Sequence, residues 1–183
     1  MDKLSQIAYL LADVATSLYI LIVVLRFLLQ LVRADFYNPF SQFIVKATNP
    51  VLIPLRKIIP GLFGIDVASI LLAIILQMLA VQLLVLIKGQ GILPILSLLI
   101  FSLYTLIGLV LKVYFFAFLI MVVISWIAPH SHNPILSIIH SITEPVLRPI
   151  RNVIPPMGGL DFSVMIAMLA LYIISILLGI PLI

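Results

Sequence analysis

Three groups of residues in this chain are of types that do chemistry. His130, His132 and His140, with Glu144 one turn after His140, offer the imidazole and carboxylate ligands that zinc takes. Arg56 and Arg151 carry guanidinium forks, which match the geometry of a phosphate or a carboxylate. Asp13, Arg26, Gln77 and Lys112 stand inside long apolar stretches, where polar groups are costly and are usually paired or functional. What each group can do depends on the elements that position it.

Those elements are written twice, at an offset of 95 residues and without a gap. Asn38-Pro39 recurs as Asn133-Pro134 and Ile44 as Ile139. Thr48, Pro50, Val51, Leu52, Pro54 and Arg56 recur as Thr143, Pro145, Val146, Leu147, Pro149 and Arg151; Ile59, Pro60, Gly64 and Asp66 recur as Ile154, Pro155, Gly159 and Asp161. That is 13 identities in the 29 positions from 38 to 66. Most are residues the chain uses sparingly, so shared apolar composition does not produce the match. An internal duplication does.

Apolar residues make up 64% of the chain and charged residues 9%, which places it with integral membrane proteins rather than soluble domains. There is no cysteine, so no disulfide framework and no thiolate metal site. The first apolar segment, from residue 7 to 32, is too long for a signal peptide and has no small-residue cleavage pattern, so it is expected to stay as an anchor. A hydrocarbon core of about 30 Å needs about 20 helical residues. Residues 7–32, 67–87 and 162–183 each meet this. The stretch 92–127 is too long for one crossing, yet has no turn chemistry for a hairpin. Shifting the first span by 95 lays Tyr19 on Tyr114 and puts the third span at about 102–127, with 92–101 as an interfacial or packed extension opened by Pro94; a fifth span is the alternative.

The expected fold is therefore an all-α membrane protein of two tandem repeats in the same orientation, each span, Pro-rich connector, span, with four transmembrane helices in total. The first repeat covers 1–91 with connector 33–66, the second 92–183 with connector 128–161. Two spans return the chain to its starting side, so a pseudo-twofold axis along the membrane normal should relate the copies.

The connectors are amphipathic. Phe40, Phe43, Ile44 and Ala47 fall on one helical face, opposite Ser41, Gln42 and Lys46; Ile135, Ile138, Ile139 and Ile142 share that frame, opposite Ser137, His140 and Ser141. Asn38 and Asn133 precede a proline at the first helical position, an N-terminus signal. A second short helix is expected from Pro50 and Pro145, bent at Pro54 and Pro149 and ended by Pro60 and Pro155. Asp66 and Asp161 stand where they cap the spans that follow.

Six basic residues lie in the connectors (Arg33, Lys46, Arg56, Lys57, Arg148, Arg151), against Lys3 and Lys88 on the other side. The connectors are thus expected in the cytoplasm and both chain ends outside. The net charge of +4 suits anionic lipid headgroups; nucleic acid is not an expected partner, since no basic surface is interleaved with aromatics. The histidines lose their metal reading by comparison of the copies. Their counterparts and Glu144's are Asp35, Tyr37, Val45 and Asn49, which share no ligand set, so interfacial histidines are expected. Lys112 maps to the level of residue 17, about 5 Å along the axis from Asp13, so the two are expected to pair across the pseudo-twofold, with separate placement or an ion path as alternatives. Arg26 is expected to extend toward the headgroups.

The doubled N-P-x(8)-T-x-P-x-L-x-P-x-R-x-x-I-P-x(3)-G-x-D, at 38–66 and 133–161, resembles the YggT (YlmG) family of small bacterial and plastid membrane proteins, and the resemblance covers nearly the whole chain. Ser125-Trp126 also fits the family, where the first copy has Gln30-Leu31. The resemblance implies a multi-pass protein of the bacterial plasma membrane, with family links to osmotic or salt stress, to cell division or shape, and in chloroplasts to cytochrome assembly and nucleoid organisation. It brings no catalytic residue. The residues agree, since no Gly-rich phosphate loop, G-x-S-x-G or H-E-x-x-H is present.

Two function classes follow: a non-enzymatic scaffold or assembly factor whose paired connectors bind lipid headgroups or a protein partner, and a small oligomeric channel or transporter lined by Asp13, Lys112 and Gln77. The scaffold is favoured because the repeated polar residues sit in the connectors. Asp13, Arg26, Gln77 and Lys112 have Gly108, Met121, Tyr172 and Ser17 as repeat partners. No cofactor is expected.

Overall fold

The computed structural model describes residues 2–59, 61, 64–127, 133–154 and 161–182. Pro60, His130, His132, Pro155 and Gly159 lie outside the described residues. Among the latter there are six helices and no strand: α1 (Lys3–Leu31), α2 (Pro39–Ile58), α3 (Val67–Ile87), α4 (Ile95–Ile127), α5 (Pro134–Val153) and α6 (Phe162–Leu178).

Three helices are long and apolar enough to cross a membrane: α1 with 29 residues, α3 with 21 and α4 with 33. At 1.5 Å per residue they measure about 44, 32 and 50 Å. Large aliphatic and aromatic side chains along them are exposed, among them Leu10, Leu11, Leu79, Ile100 and Phe116. Such surfaces suit lipid and not water. The apolar helices are those of a membrane protein.

The stretch from 95 to 127 is one uninterrupted helix; it neither folds into a hairpin nor breaks between an extension and a span. Pro94 does not disturb it, because it stands just before the first turn, where its carbonyl accepts from Leu98 N at 2.9 Å and its missing N–H is not needed. α6 is shorter than the span expected over 162–183. Gly179 takes the left-handed conformation at φ 68°, its N–H and that of Ile180 turn back onto the Ile176 and Ser175 carbonyls, and the helix stops after 17 residues. The chain beyond it is tucked in. Ile180 lies over Gly108 of α4, where an added Cβ would come within 3.1 Å of its Cγ2, and Leu182 joins a core of Phe118, Leu147, Val164, Ala167 and Leu171. Gly108 is the repeat partner of Asp13, and a side chain of that size at 108 would collide with the tail.

Each connector holds a single helix of 20 residues, not two short ones: the helix does not restart at Pro50 or Pro145. The prolines come in pairs four apart, Pro50 with Pro54 and Pro145 with Pro149, and all four are exposed. The carbonyls they leave without an i+4 donor, those of Lys46, Pro50, Ser141 and Pro145, therefore lie along the outward stripe. The inward stripe is unbroken. It runs through Ser41, Ile44, Thr48 and Leu52 in α2 and through Leu136, Ile139, Thr143 and Leu147 in α5, the same four positions at an offset of 95, all buried. This corrects the expected apolar face. Phe43 is 58% exposed and Ile135 is exposed too, whereas Ser41, assigned by its polarity to the outer side, is fully buried.

The described chain forms two compact units: one of Met1–Phe27 with Ile44–Ile107, the other of Leu28–Phe43 with Gly108–Ile183. Within the first, α3 contributes Ala68, Ser69, Leu72, Ala73, Ala80 and Val81 to the buried set. Within the second, α5 packs on α6, and Ala117 of α4 meets Leu136 and Ile139.

Candidate functional site: two arginine–aspartate clasps

The residues that recur in both copies converge on one local arrangement. Asn38 and Asn133 cap α2 and α5, their side-chain oxygens accepting from Phe40 N and Ile135 N at 2.9 Å each, with Pro39 and Pro134 opening the first turn. Thr48 and Thr143 are fully buried, and each Oγ1 donates to the carbonyl four residues back, Ile44 O at 2.8 Å and Ile139 O at 2.9 Å. Arg56 and Arg151 then project from the last turn of the connector helices onto Asp66 and Asp161, ten residues on.

In the first unit Arg56 Nε donates to Asp66 Oδ1 at 3.3 Å and Nη2 to Oδ2, the parallel fork pattern. Asp66 is the N-cap of α3: it accepts from Ser69 N, and the Ser69 hydroxyl donates to it as well. The residue is 4% exposed. Burial alone would raise its carboxyl, but the hydrogen bonds from Arg56 and Ser69 and the charge of Arg56 outweigh it and hold the group below the usual carboxylate range. In the second unit Arg151 Nε donates to Asp161 Oδ2 at 2.9 Å and Nη1 to Glu144 Oε2 at 2.6 Å, while Asp161 accepts from Ser163 N at 3.0 Å as the N-cap of α6. Partial burial would lower the Arg151 guanidinium; its bonds to Asp161 and the charges of both carboxylates reverse this and raise it.

Each clasp ties the last turn of a connector helix to the first turn of the apolar helix that follows. The copies differ in what surrounds it. Glu144 reaches Arg151 from two turns earlier on α5, a pairing that sequence reading missed by setting Glu144 beside His140; the i, i+7 spacing on one helical face was the available signal. Its counterpart is Asn49. In the first unit the additional group is a cation, Arg26 of α1, 5% exposed, whose Nε and Nη1 are enclosed and have no hydrogen-bond partner. It does not extend outward as expected. Its counterpart is Met121, whose sulfur lies 3.0 Å from Thr143 Oγ1.

The remaining polar candidates lie outside the clasps, and each is described within its own unit. Asp13 is half-buried in the first unit and accepts a long bond from Ser17 Oγ at 3.4 Å; Gln77 is half-buried in the same unit, and Lys112 is half-buried in the second. His140 is exposed, and among the described residues no three His, Cys, Asp or Glu side chains gather as a metal site.

These features define a class: an all-helical, duplicated membrane protein whose repeated polar residues brace its connectors. The chain belongs to the CCB3/YggT family, whose profile matches it twice, over residues 5–87 and 100–182, an offset of 95 at both ends. It is 53% identical to an uncharacterised protein of Pseudomonas aeruginosa over 88% of this chain and 82% of that one. It is 40% identical to Escherichia coli YggT over 94% and 88%, and 36% identical to an uncharacterised Haemophilus influenzae protein over 94% and 91%. No solved structure matches the chain.

Proposed function

We propose that this protein is a non-enzymatic scaffold or assembly factor of the bacterial plasma membrane, in which two braced connector helices form a surface for anionic lipid headgroups or a protein partner. The observation that carries the reading is the recurrence of the clasp. In both copies an arginine at the end of the connector helix is held by the aspartate that caps the next apolar helix. A duplication that keeps its polar residues at the ends of the connectors, while Asp13, Gln77 and Lys112 have no polar match of their own kind, preserves a rigid surface rather than a lined path.

In this reading α1, α3, α4 and α6 are four spans, α6 at about 26 Å being just long enough. The connectors lie on the cytoplasmic side with both chain ends outside, and the family resemblance suggests a role in osmotic stress or division. The test is complementation of a deletion strain by Arg56→Gln with Arg151→Gln, alongside vesicle binding. Loss of the phenotype and of anionic-vesicle binding, at normal expression and insertion, is expected. Full rescue with normal binding, or ion flux in proteoliposomes containing only this protein, overturns the reading in favour of a channel.

A further inference from the structure

The two clasps have opposite charge balance. Among the described residues, the first joins Arg56 to Asp66 with Arg26 within electrostatic range of both, two cations to one carboxylate; the second gathers Glu144 and Asp161 around Arg151, two carboxylates to one cation. The second is closed: its arginine has both partners in hand. The first carries a surplus cation, enclosed by protein, with two nitrogens that donate to nothing. A buried guanidinium without partners is costly, and more so in a chain surrounded by hydrocarbon. It is retained here although its repeat partner is a methionine.

An apolar groove lies farther along the same helix pair. It holds about 260 Å³ and is lined by Ala15, Tyr19 and Ile20 of α1 and Leu76, Ala80 and Leu83 of α3. Along α1, Ile20 and Ala15 stand six and eleven residues from Arg26, about 9 and 16 Å. The acyl chains of one leaflet occupy about 15 Å, half of the hydrocarbon core. A phosphate at the arginines therefore places an acyl chain at the depth of this groove.

We propose that Arg56, backed by the enclosed charge of Arg26, holds the phosphate of an anionic phospholipid, with one acyl chain in the groove between α1 and α3, so that the first clasp is a lipid site and the second is not. This rests on the headgroup-binding part of the scaffold reading and narrows it to one copy. Arg56, with a third of its side chain exposed, meets the headgroup first. Arg26 supplies the second charge from beneath, and the phosphate adds its negative charge to that of Asp66.

The test uses the full chain, delipidated in a neutral detergent, with dioleoylphosphatidylglycerol, dioleoylphosphatidylcholine and inorganic phosphate as separate probes. Bound lipid is read by native mass spectrometry and stabilisation by the thermal midpoint. Phosphatidylglycerol should be retained and should raise the midpoint, phosphatidylcholine should be retained at least tenfold less, and inorganic phosphate should act no better than chloride. Arg26→Met should cut phosphatidylglycerol retention about tenfold while leaving the lipid-free midpoint equal or higher, since it removes an unpartnered charge. Arg151→Met should cut retention less than Arg26→Met does. Ala15→Phe, which fills the groove and leaves the cluster intact, should also lower retention, and carries the test alone if Arg26→Met fails to accumulate. Retention by Arg26→Met equal to that of the parent, or protection by inorganic phosphate equal to that by lipid, overturns the site while leaving the scaffold reading standing. No preference of the parent protein for the anionic lipid overturns both.

Discussion

The side-chain amide of Asn38 donates to the backbone carbonyl of Pro134 at 2.7 Å, so the cap of the first connector helix also grips the first turn of the second. Asn38 and Asn133 are repeat partners, and each caps its own helix through its oxygen. Asn38 is buried and uses both ends of its amide; Asn133 is exposed.

Replacement by alanine should separate the two roles. Asn133→Ala loses a cap, about 1 kcal/mol. Asn38→Ala loses a cap and the bond to the Pro134 carbonyl as well, roughly 2 kcal/mol. Thermal unfolding of the purified protein in detergent checks the order, and equal losses would mean the Asn38 to Pro134 bond contributes nothing.

Asp66→Asn keeps the capping geometry but removes the charge that faces two arginines. Breaking a buried ion pair costs about 3–5 kcal/mol, and the exposure of Arg56 sets the expectation at the low end, roughly 3. Asp161, with 29% of its side chain exposed, should cost about 1 kcal/mol on the same change. Adding Arg26→Met to Asp66→Asn should restore part of the loss by relieving the uncompensated cation. The double-mutant cycle measures that coupling, and strict additivity would show that Arg26 and Asp66 do not sense one another.

The lowered carboxyl of Asp66 fixes a pH dependence. A group whose folded pKa is depressed adds stability that is fully present above its unfolded value, about 4, and is lost as pH falls through the folded value. Stability should therefore be flat from neutrality down to about pH 4 and fall below it, with Asp66→Asn showing a shallower fall. Acid titration of the unfolding midpoint for parent and variant reads the difference.

A phosphatase reporter fused after the last residue should be active, since the connectors carry six basic residues against two on the opposite side. Activity instead from a fusion in the first connector would reverse the orientation and move the clasps to the outer leaflet.

The duplication, the apolar helices and the N-terminal caps are legible because they depend on residues with one dominant local meaning: Pro after Asn, Asp before an apolar run, a match at constant offset. What escaped was set by tertiary context. Pro50 and Pro145 read as helix starts, yet with their outward placement one helix runs through them. Ser41 reads as surface by polarity but takes its place in the buried stripe by register, while Phe43 does the reverse. The apolar run from 162 continues past Gly179 to residue 183, so length and composition extend the span to 183, whereas the left-handed φ at Gly179 ends the helix. Arg26 had no repeat partner of its type to mark it, and its enclosure is a property of packing. Glu144 was assigned to the nearer histidine when its helical face pointed to Arg151.

The paired prolines bear on more than helix continuity. Each connector helix shows its outer side as a short row of carbonyls that its own backbone leaves unanswered, and its inner side as a row of buried residues. Hydrocarbon offers no donor, and an unmet carbonyl there costs several kcal/mol, so the outer row cannot sink; the inner row cannot leave its packing. On the proposed reading, with the connectors at the membrane surface, such a helix rides at one level, like a float with ballast beneath it. A bilayer that thins or swells must then move the apolar helices past a fixed waterline, with the arginine clasps as the joints that feel the strain.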